Sequence, residues 1–342
     1  MAKTNAGRFF EDYRIGETIV HAVPRTFSGG ERALYHALYP ARHAIHSSDE
    51  FARLCGLPGS PLDDWAAFHL VFGKTVPDIS LNAVANLGYA EGRWHRQVYP
   101  GDTLRAESQV IGLKQNSNGR TGVVWVRTRG LNQDDVLVLD YVRWVMVRKR
   151  DPEAPAPDTV VPDLAPAVEP GDLAVPRGLD LARYDFTLAG EPHRWADYEI
   201  GETIDHVDGV TVQEAEHMLA TRLWQNTAKV HFDVTARPDG RPLIYGGHVI
   251  SLARALSFNG LANAQMIAAL NAGAHANPCF AGDTVRAWSE VLDKADTAAP
   301  GVGAIRLRLV ATRGVPFALR GEDGKYLPEV LLDLDYWALM PK

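Results

Sequence analysis

The chain has few cysteines and lacks any apolar run long enough to span a membrane. Its 342 residues include two cysteines, Cys55 and Cys279, which cannot build a disulfide framework. The net charge of −7 comes without blocks of like charge, so no strong field would attract a polynucleotide. These absences argue against a membrane protein and a disulfide scaffold. They predict a cytoplasmic protein with reduced thiols that binds neither nucleic acid nor membrane.

A long-period repeat is the most informative feature that the sequence does contain. Residues 10–21, FEDYRIGETIVH, return as residues 195–206, WADYEIGETIDH, and the same offset carries His46 onto His231 without a gap. A repeat of this period predicts two stacked copies of one domain, each with an equivalent site. The functional question is therefore which copy still performs chemistry.

Proline marks the boundary between the two copies. Between Arg150 and Pro176 the chain contains about a third of its 21 prolines. Such a density removes backbone donors and favours extended geometry, which indicates a semi-rigid linker. We therefore predict an N-terminal repeat over residues 1–150, a linker over 151–176 and a C-terminal repeat over 177–342.

Each half has the same order of local signals. An apolar helix is predicted over residues 63–76 in the first half and from 247 to about 261 in the second. A Gly-Asp-Thr turn follows at residues 101–103 and again at 282–284, and each turn opens a series of alternating, β-branched strands. One long helix and several antiparallel strands per half predict an α+β architecture with the helix across one face of the sheet.

These residues resemble the MaoC-like hydratases. Their motif is a Gly-Asp-x-Asn-Pro-x-His stretch ahead of a central helix, then a glycine at the helix start and a Gly-Asp-Thr turn. Residues 225–233, QNTAKVHFD, and residues 245–248, YGGH, hold those places in the second half. The resemblance covers nearly the full length, linker included. It implies a double hot-dog fold, in which two tandem repeats each wrap an antiparallel sheet around a central helix.

The resemblance also implies a function. It suggests a lyase that reversibly hydrates a branched enoyl-CoA, most simply mesaconyl-CoA to β-methylmalyl-CoA. An acyl-CoA would be the substrate, and no cofactor is needed because coenzyme A is part of that substrate. No metal site is expected, since the histidines lack paired-ligand spacing. Whether the unit forms a homodimer is left open.

The departures from the family motif differ between the halves. The family's catalytic aspartate falls on Ala41 in the first half and on Asn226 in the second. The glycine at the helix start is replaced by Asp63 and Asp64 in the first half, whereas it survives as residues 246–247 in the second. This asymmetry predicts that the C-terminal repeat carries the catalytic site and that the N-terminal repeat is non-catalytic.

Hydration needs a proton carrier, a positioned water and a donor to the enolate oxygen. We assign acid–base catalysis to His231, whose imidazole can exchange protons near neutral pH. Asn226 cannot act as a base, but its carbonyl oxygen can position water. The Gly247 N–H, supported by Gly246, would form the oxyanion hole at the helix start. Further candidates for substrate contact are Tyr245, His248, Lys229, Arg42 and His46. Of these, Arg42 and Lys229 are the candidate cations for a substrate carboxylate.

Two other functions remain open on the sequence alone. The hot-dog fold also serves acyl-CoA thioesterases, because a fold does not fix a reaction. A non-catalytic acyl-CoA-binding protein is the third hypothesis, and the two missing aspartates motivate it. Release of free thiol, or binding without turnover, separates these functions from hydration.

Overall fold

The chain folds around one continuous antiparallel sheet of ten strands. The computed structural model describes residues 3–314 and 317–342. The sheet order is β1-β3-β4-β5-β2-β7-β10-β9-β8-β6, which is symmetric about the junction between β2 and β7. The strands are β1 Thr18–Thr26, β2 Ala83–Trp94, β3 Thr103–Gln115, β4 Thr121–Leu131, β5 Leu137–Arg148, β6 Thr203–Thr211, β7 Met266–His275, β8 Thr284–Asp296, β9 Val302–Arg313 and β10 Val330–Pro341. Five strands therefore come from each side of the proline-rich segment.

Helices cover this sheet and connect its strands. They are α1 Gly29–Leu38, α2 Ala44–Ser47, α3 Asp49–Leu54, α4 Asp64–Thr75, α5 Phe186–Ala189, α6 Glu214–Leu223, α7 Gly246–Leu256 and α8 Phe258–Leu261. Short 3-10 turns lie at Phe10–Asp12, Pro170–Asp172, Trp195–Asp197, Lys229–His231 and Val234–Ala236, and a π-helical turn at Val76–Ser80. Over the described ranges, none of the helices has the length and apolarity needed to cross a membrane.

The central helices of the two halves are α4 and α7. Helix α4 begins where the Asp63 side chain accepts a hydrogen bond from the Trp65 N–H, and every residue of the helix is buried. Helix α7 begins directly after Tyr245 and ends at Leu256. The predicted continuation of this helix to about residue 261 is wrong. The chain kinks within the short segment α8, where Asn259 (ψ 101°) and Gly260 (φ +96°) both depart from right-handed helical geometry.

The repeated segment at the start of each half has a structural role. Tyr13 and Tyr198 each donate a hydroxyl hydrogen bond of 2.8 Å to a backbone carbonyl that follows the central helix of their half. His21 and His206 each contact a serine hydroxyl on the neighbouring strand, again at 2.8 Å. The repeat therefore fixes the first strand of each half against the end of its central helix.

The two halves share one core across the β2–β7 junction. Tyr89 on β2 pairs with Gly273 on β7, so the hydrogen-bonded ladder continues from one half into the other and leaves no free sheet edge between them. The largest cluster of buried apolar side chains includes residues of both α4 and α7. The proline-rich segment follows the sheet closely, since Val160 exchanges backbone hydrogen bonds with Leu113 on β3. The predicted α+β architecture with antiparallel strands is confirmed.

Candidate functional site

A cavity of about 680 Å³ lies where the two halves meet. The first half contributes the end of α4, the start of β2 and two arginines of β5. The second half contributes the loop before α7, the start of α7 and the end of β7. Site residues that line the cavity are Asn226, Lys229, His231, Tyr245, Gly246 and His275. The structure therefore brings the predicted C-terminal site and a wall of the N-terminal repeat into one space.

His231 sits in this wall with a defined tautomer. Its Nδ1 lies 2.8 Å from the Leu243 carbonyl oxygen. A carbonyl can only accept a hydrogen bond, so Nδ1 must carry the proton and Nε2 retains its lone pair. The 3-10 turn Lys229–His231 sets this geometry, and the Val230 carbonyl accepts from the Leu243 N–H at 2.8 Å.

Burial keeps His231 neutral. Desolvation lowers its pKa to about 4, against the smaller effect of the Leu243 carbonyl, which raises it. The ring packs edge-on against Tyr245, with centroids 5.7 Å apart. A neutral imidazole with a free Nε2 on a cavity wall can accept a proton from water, and it can return that proton after the addition.

The start of α7 supplies backbone donors. Gly246 and Gly247 are its first two residues, and N–H groups at these positions have no partner within the helix. Gly246 lines the cavity, whereas Gly247 is buried one residue further along. A Cβ at Gly246 would lie 2.3 Å from Cε1 of His275, so only glycine lets that ring pack against the helix start. These amides, at the positive end of the helix dipole, suit a developing negative charge.

Asn226 shapes the loop that carries His231. Its Oδ1 accepts a hydrogen bond from the Ala228 N–H at 3.0 Å, and the side chain is buried at the cavity wall. This local turn fixes the start of the loop. A carbonyl oxygen has two lone pairs, so Oδ1 can still accept from a water molecule.

The equivalent place in the first half is closed by a carboxylate. Asp64, at the start of α4, accepts a hydrogen bond from the Ile267 N–H at 2.7 Å. His46 lies beside it, with Nε2 3.6 Å from Oδ2 of Asp64 and 3.1 Å from the Gln265 carbonyl. Burial alone would lower the pKa of His46, but Asp64 more than offsets this, and the pKa is raised. The place held by glycine in the second half is thus occupied in the first half by a carboxylate that is paired with the Ile267 N–H and lies beside His46.

Three of the predicted substrate contacts lie away from the cavity. His46 is buried between Asp64 and backbone carbonyls, and the Arg42 guanidinium stacks on the Phe258 ring at 4.4 Å. His248 is fully buried with Nδ1 3.3 Å from the Tyr39 hydroxyl. None of the three is among the described residues that line the cavity. Packing encloses His46 and His248, whereas Arg42 is exposed outside the cavity, and the substrate contacts expected of these three residues stay predictions.

The other two predicted contacts do reach the cavity. Tyr245 is buried, and its ring forms part of the wall between His231 and Phe72 of the first half. Lys229 is exposed, so it stands where the cavity opens to solvent. Both assignments to substrate binding stay predictions.

Sequence reasoning missed the first-half side of the cavity. Arg143, Asn86 and Tyr89 all line it, and the Tyr89 hydroxyl lies 3.0 Å from Nε2 of His275. The sequence did contain one indication for Arg143. It lies between Tyr141 and Val145 at every second position of a strand, so the three side chains share one interior face. An arginine at such a position indicates a special role.

No cluster of three or more His, Cys, Asp or Glu side chains with metal-binding geometry occurs within residues 3–314 and 317–342. The cavity instead offers neutral imidazoles, backbone amides, and the cations Arg143, Arg148 and Lys229. This donor set matches the polarisation of an acyl thioester through hydrogen bonds.

A family described as mesaconyl-CoA hydratase matches residues 1–314. The curated mesaconyl-CoA hydratase of Cereibacter sphaeroides is 80% identical over 99% of this chain and 100% of its own length. The β-methylmalyl-CoA dehydratase of Chloroflexus aurantiacus is 59% identical over 100% of this chain and 99% of its own. This chain belongs to the mesaconyl-CoA hydratase family.

Solved structures of members and distant relatives agree. A MaoC domain protein of Chloroflexus aurantiacus superposes with a TM-score of 0.98 at 58% identity, covering 100% of this chain and 99% of that one. A double-hotdog protein of Mycobacterium tuberculosis gives a TM-score of 0.74 at 25% identity, covering 97% and 98%. The predicted double hot-dog fold is confirmed, as are the MaoC-like resemblance and the lyase class of hydratases and dehydratases.

Proposed function

We propose that this protein reversibly hydrates a branched, carboxylated enoyl-CoA, mesaconyl-CoA, to β-methylmalyl-CoA, using the site in its C-terminal half. The substrate is inferred from the names of the two curated relatives at 80% and 59% identity. The observation that carries the mechanism is the neutral His231, whose free Nε2 shares a cavity with the amides that begin α7.

The proposed addition proceeds through an enolate. Nε2 of His231 takes a proton from water while the hydroxyl bonds to the β-carbon of the thioester. Electron density then moves to the thioester oxygen, where the N–H groups of Gly246 and Gly247 hold it. Gly247 is the donor inferred from the sequence, and Gly246 is the one on the cavity wall. The imidazolium finally protonates the α-carbon, so that both hydrogens of water are accounted for. Dehydration is the reverse.

Asn226 completes the proposal by positioning the water. Its Oδ1 holds the loop through Ala228 and offers its second lone pair to the water molecule. At the open end of the cavity, Lys229 and Arg148 are exposed cations that suit the phosphates of coenzyme A. The proposed chemistry needs neither a metal nor a further cofactor. A cytoplasmic location is part of the proposal and rests on the two thiols, both free.

The direct test is to incubate the purified protein with mesaconyl-CoA in a chelating, cofactor-free buffer. Loss of absorbance from the conjugated thioester, without release of free thiol, is expected. A His231→Gln variant should lower kcat by about 10²–10⁴-fold, the usual contribution of general acid–base catalysis. The exposed His193 provides the control, because His193→Gln should leave turnover unchanged.

Two results would contradict this function. Free thiol released at the rate of substrate loss would indicate a thioesterase. Tight binding of mesaconyl-CoA without turnover, equal in the wild type and His231→Gln, would indicate a binding protein.

A further inference from the structure

Arg143 is a fully buried cation in the wall of the cavity. It lies on β5 opposite Tyr89 of β2, and none of its surface is open to water. It belongs to the first half, whereas the catalytic loop belongs to the second. Arg143 has no part in the proton transfers or the oxyanion stabilisation proposed for the reaction.

The charge of Arg143 lacks a compensating carboxylate in the structure. Over the described residues, it takes part in no ion pair, and neither Nε nor Nη1 has a hydrogen-bond acceptor. Its Nη2 donates to the Thr75 hydroxyl at 2.6 Å and more weakly to the Ser80 hydroxyl at 3.5 Å. The guanidinium also stacks on Phe72, with its carbon 4.2 Å from the ring centroid. Buried charges are normally paired, so this arrangement points to an anion supplied from outside the chain.

A second unsatisfied polar group lies in the same wall. The side-chain oxygen and nitrogen of Asn86 are buried without a hydrogen-bond partner among the described residues. Asn86 lies on β2 and lines the cavity with Arg143. An amide N–H and a guanidinium together offer the donors that a carboxylate accepts.

Aromatic contacts connect this wall to the catalytic loop. The Phe72 ring, on which Arg143 stacks, lies 6.0 Å from the Tyr245 ring, and Tyr245 lies 5.7 Å from His231. The cavity therefore has an acid–base group at one side and an unpaired cation at the other. In β-methylmalyl-CoA the free carboxylate is attached to the hydroxyl-bearing β-carbon, so it projects beyond the reacting atoms and away from coenzyme A.

We propose that Arg143, assisted by the Asn86 amide, binds the free carboxylate of the acyl group and makes the enzyme selective for dicarboxylic acyl-CoA substrates. This assignment rests on the proposed function and deepens it. The Ser80 hydroxyl, the weaker partner of Arg143, is the group that the carboxylate replaces. Arg143 thus takes the role that the sequence had suggested for Arg42 or Lys229.

The test compares two substrates that differ only in the group facing Arg143. Mesaconyl-CoA carries a carboxylate where 2-methylbut-2-enoyl-CoA carries a methyl group. In an Arg143→Met variant, kcat/KM for mesaconyl-CoA should fall by at least about 100-fold, because one partner of a buried charge pair is lost. For 2-methylbut-2-enoyl-CoA it should stay equal or rise. Arg143→Lys, which keeps the charge, should retain part of the preference for the carboxylate.

Two controls separate a specificity role from a structural one. Arg129 is an exposed arginine of the same sheet, paired with Glu107 at 2.9 Å, and Arg129→Met should change neither substrate's kinetics. The melting temperature of Arg143→Met should be equal to or above that of the wild type, because an unpaired buried charge has been removed. Equal losses for both substrates, or no loss for mesaconyl-CoA, would overturn the assignment.

A binding measurement keeps this inference independent of turnover. Methylsuccinyl-CoA has the carboxylate but no double bond, so it reports binding without chemistry. If methylsuccinyl-CoA binds Arg143→Met more weakly than it binds the wild type, the carboxylate site is supported. This holds even if the wild type hydrates neither substrate, a result that would contradict only the proposed function. Equal binding overturns the site even if mesaconyl-CoA is hydrated.

Discussion

A single backbone carbonyl decides what His231 can do. Leu243 accepts from Nδ1, so Nε2 of His231 is left with a lone pair, and burial lowers the pKa to about 4. At neutral pH the ring is therefore ready to accept a proton before any substrate arrives. A protonated ring would have to lose its proton first. The orientation of this imidazole supports the acid–base role that we propose for His231.

Asn226 provides a test at the level of one residue, because its Oδ1 atom is proposed both to hold the loop through the Ala228 N–H and to position the water. Asn226→Asp keeps an oxygen that accepts from the Ala228 N–H and from water, so kcat should stay within about tenfold of the wild type. Asn226→Ala removes that oxygen and should lower kcat by about 100-fold, as expected for a misplaced catalytic loop. Steady-state kinetics with mesaconyl-CoA distinguishes the two variants. Equal activity in both would show that the Asn226 oxygen has no part in the reaction.

The starts of the two central helices explain why the halves differ. Helix α7 begins with two glycines, of which Gly246 lines the cavity and Gly247 is buried. Helix α4 instead begins with a carboxylate that accepts a hydrogen bond from the Ile267 N–H and lies beside His46. The same loop-and-helix element therefore gives a donor site in one half and a closed, paired site in the other. His46 and His231 share a sequence position but have opposite pKa shifts, because only His46 faces a carboxylate.

This difference predicts opposite outcomes for the two equivalent histidines. His46→Gln should lower the free energy of unfolding by about 1–3 kcal/mol, because Asp64 is left buried without its partner, but kcat should change less than about twofold. His231→Gln should instead lower kcat strongly and leave the free energy of unfolding nearly unchanged. Chemical denaturation and steady-state kinetics on both variants provide the comparison. A comparable loss of kcat in the two would mean that the first half takes part in the chemistry.

For the whole molecule, the repeat together with the family resemblance was enough to predict the fold but not the full site. A 12-residue segment and a conserved offset between histidines specify two copies of one domain, and His231 follows from its place in the motif. Arg143 and Asn86 could not be found in this way. They reach the cavity only because β2 pairs with β7 and brings the wall of one half against the loop of the other. The positions of Arg42, His46 and His248 could not be predicted either, since tertiary packing encloses the two histidines and leaves the exposed Arg42 outside the cavity.

The stability of the whole chain should depend on pH through its buried histidines. His69, His206, His217 and His248 are fully buried, and burial lowers their pKa values to about 3, 4, 3 and 4. Below a pH of about 6.5 the unfolded chain binds protons that the folded chain does not, so the stability present above that pH is lost as the pH falls. Each histidine contributes up to about 1.4 kcal/mol per pH unit. His46 acts in the opposite sense and offsets part of this.

Denaturant unfolding at pH 7.5, 6.0 and 5.0 measures the effect. The free energy of unfolding should fall steadily over this range. His206→Gln should reduce the slope of the free energy of unfolding against pH by the equivalent of about one proton. His193→Gln, at an exposed site, should leave that slope unchanged. A free energy that is constant between pH 7.5 and 5.0 would show that the buried imidazoles are not kept neutral.

The carboxylate at the start of α4 also leads to a prediction about how many ligands one polypeptide binds. A tandem duplication could in principle double the binding capacity, but Asp64 occupies the mirror-image position with a group belonging to the chain itself. Titration with a saturated acyl-CoA analogue should therefore reach equivalence at one ligand per chain. The N-terminal half contributes the opposite wall of the cavity, so we expect the duplication to provide one shared binding site per chain and not two.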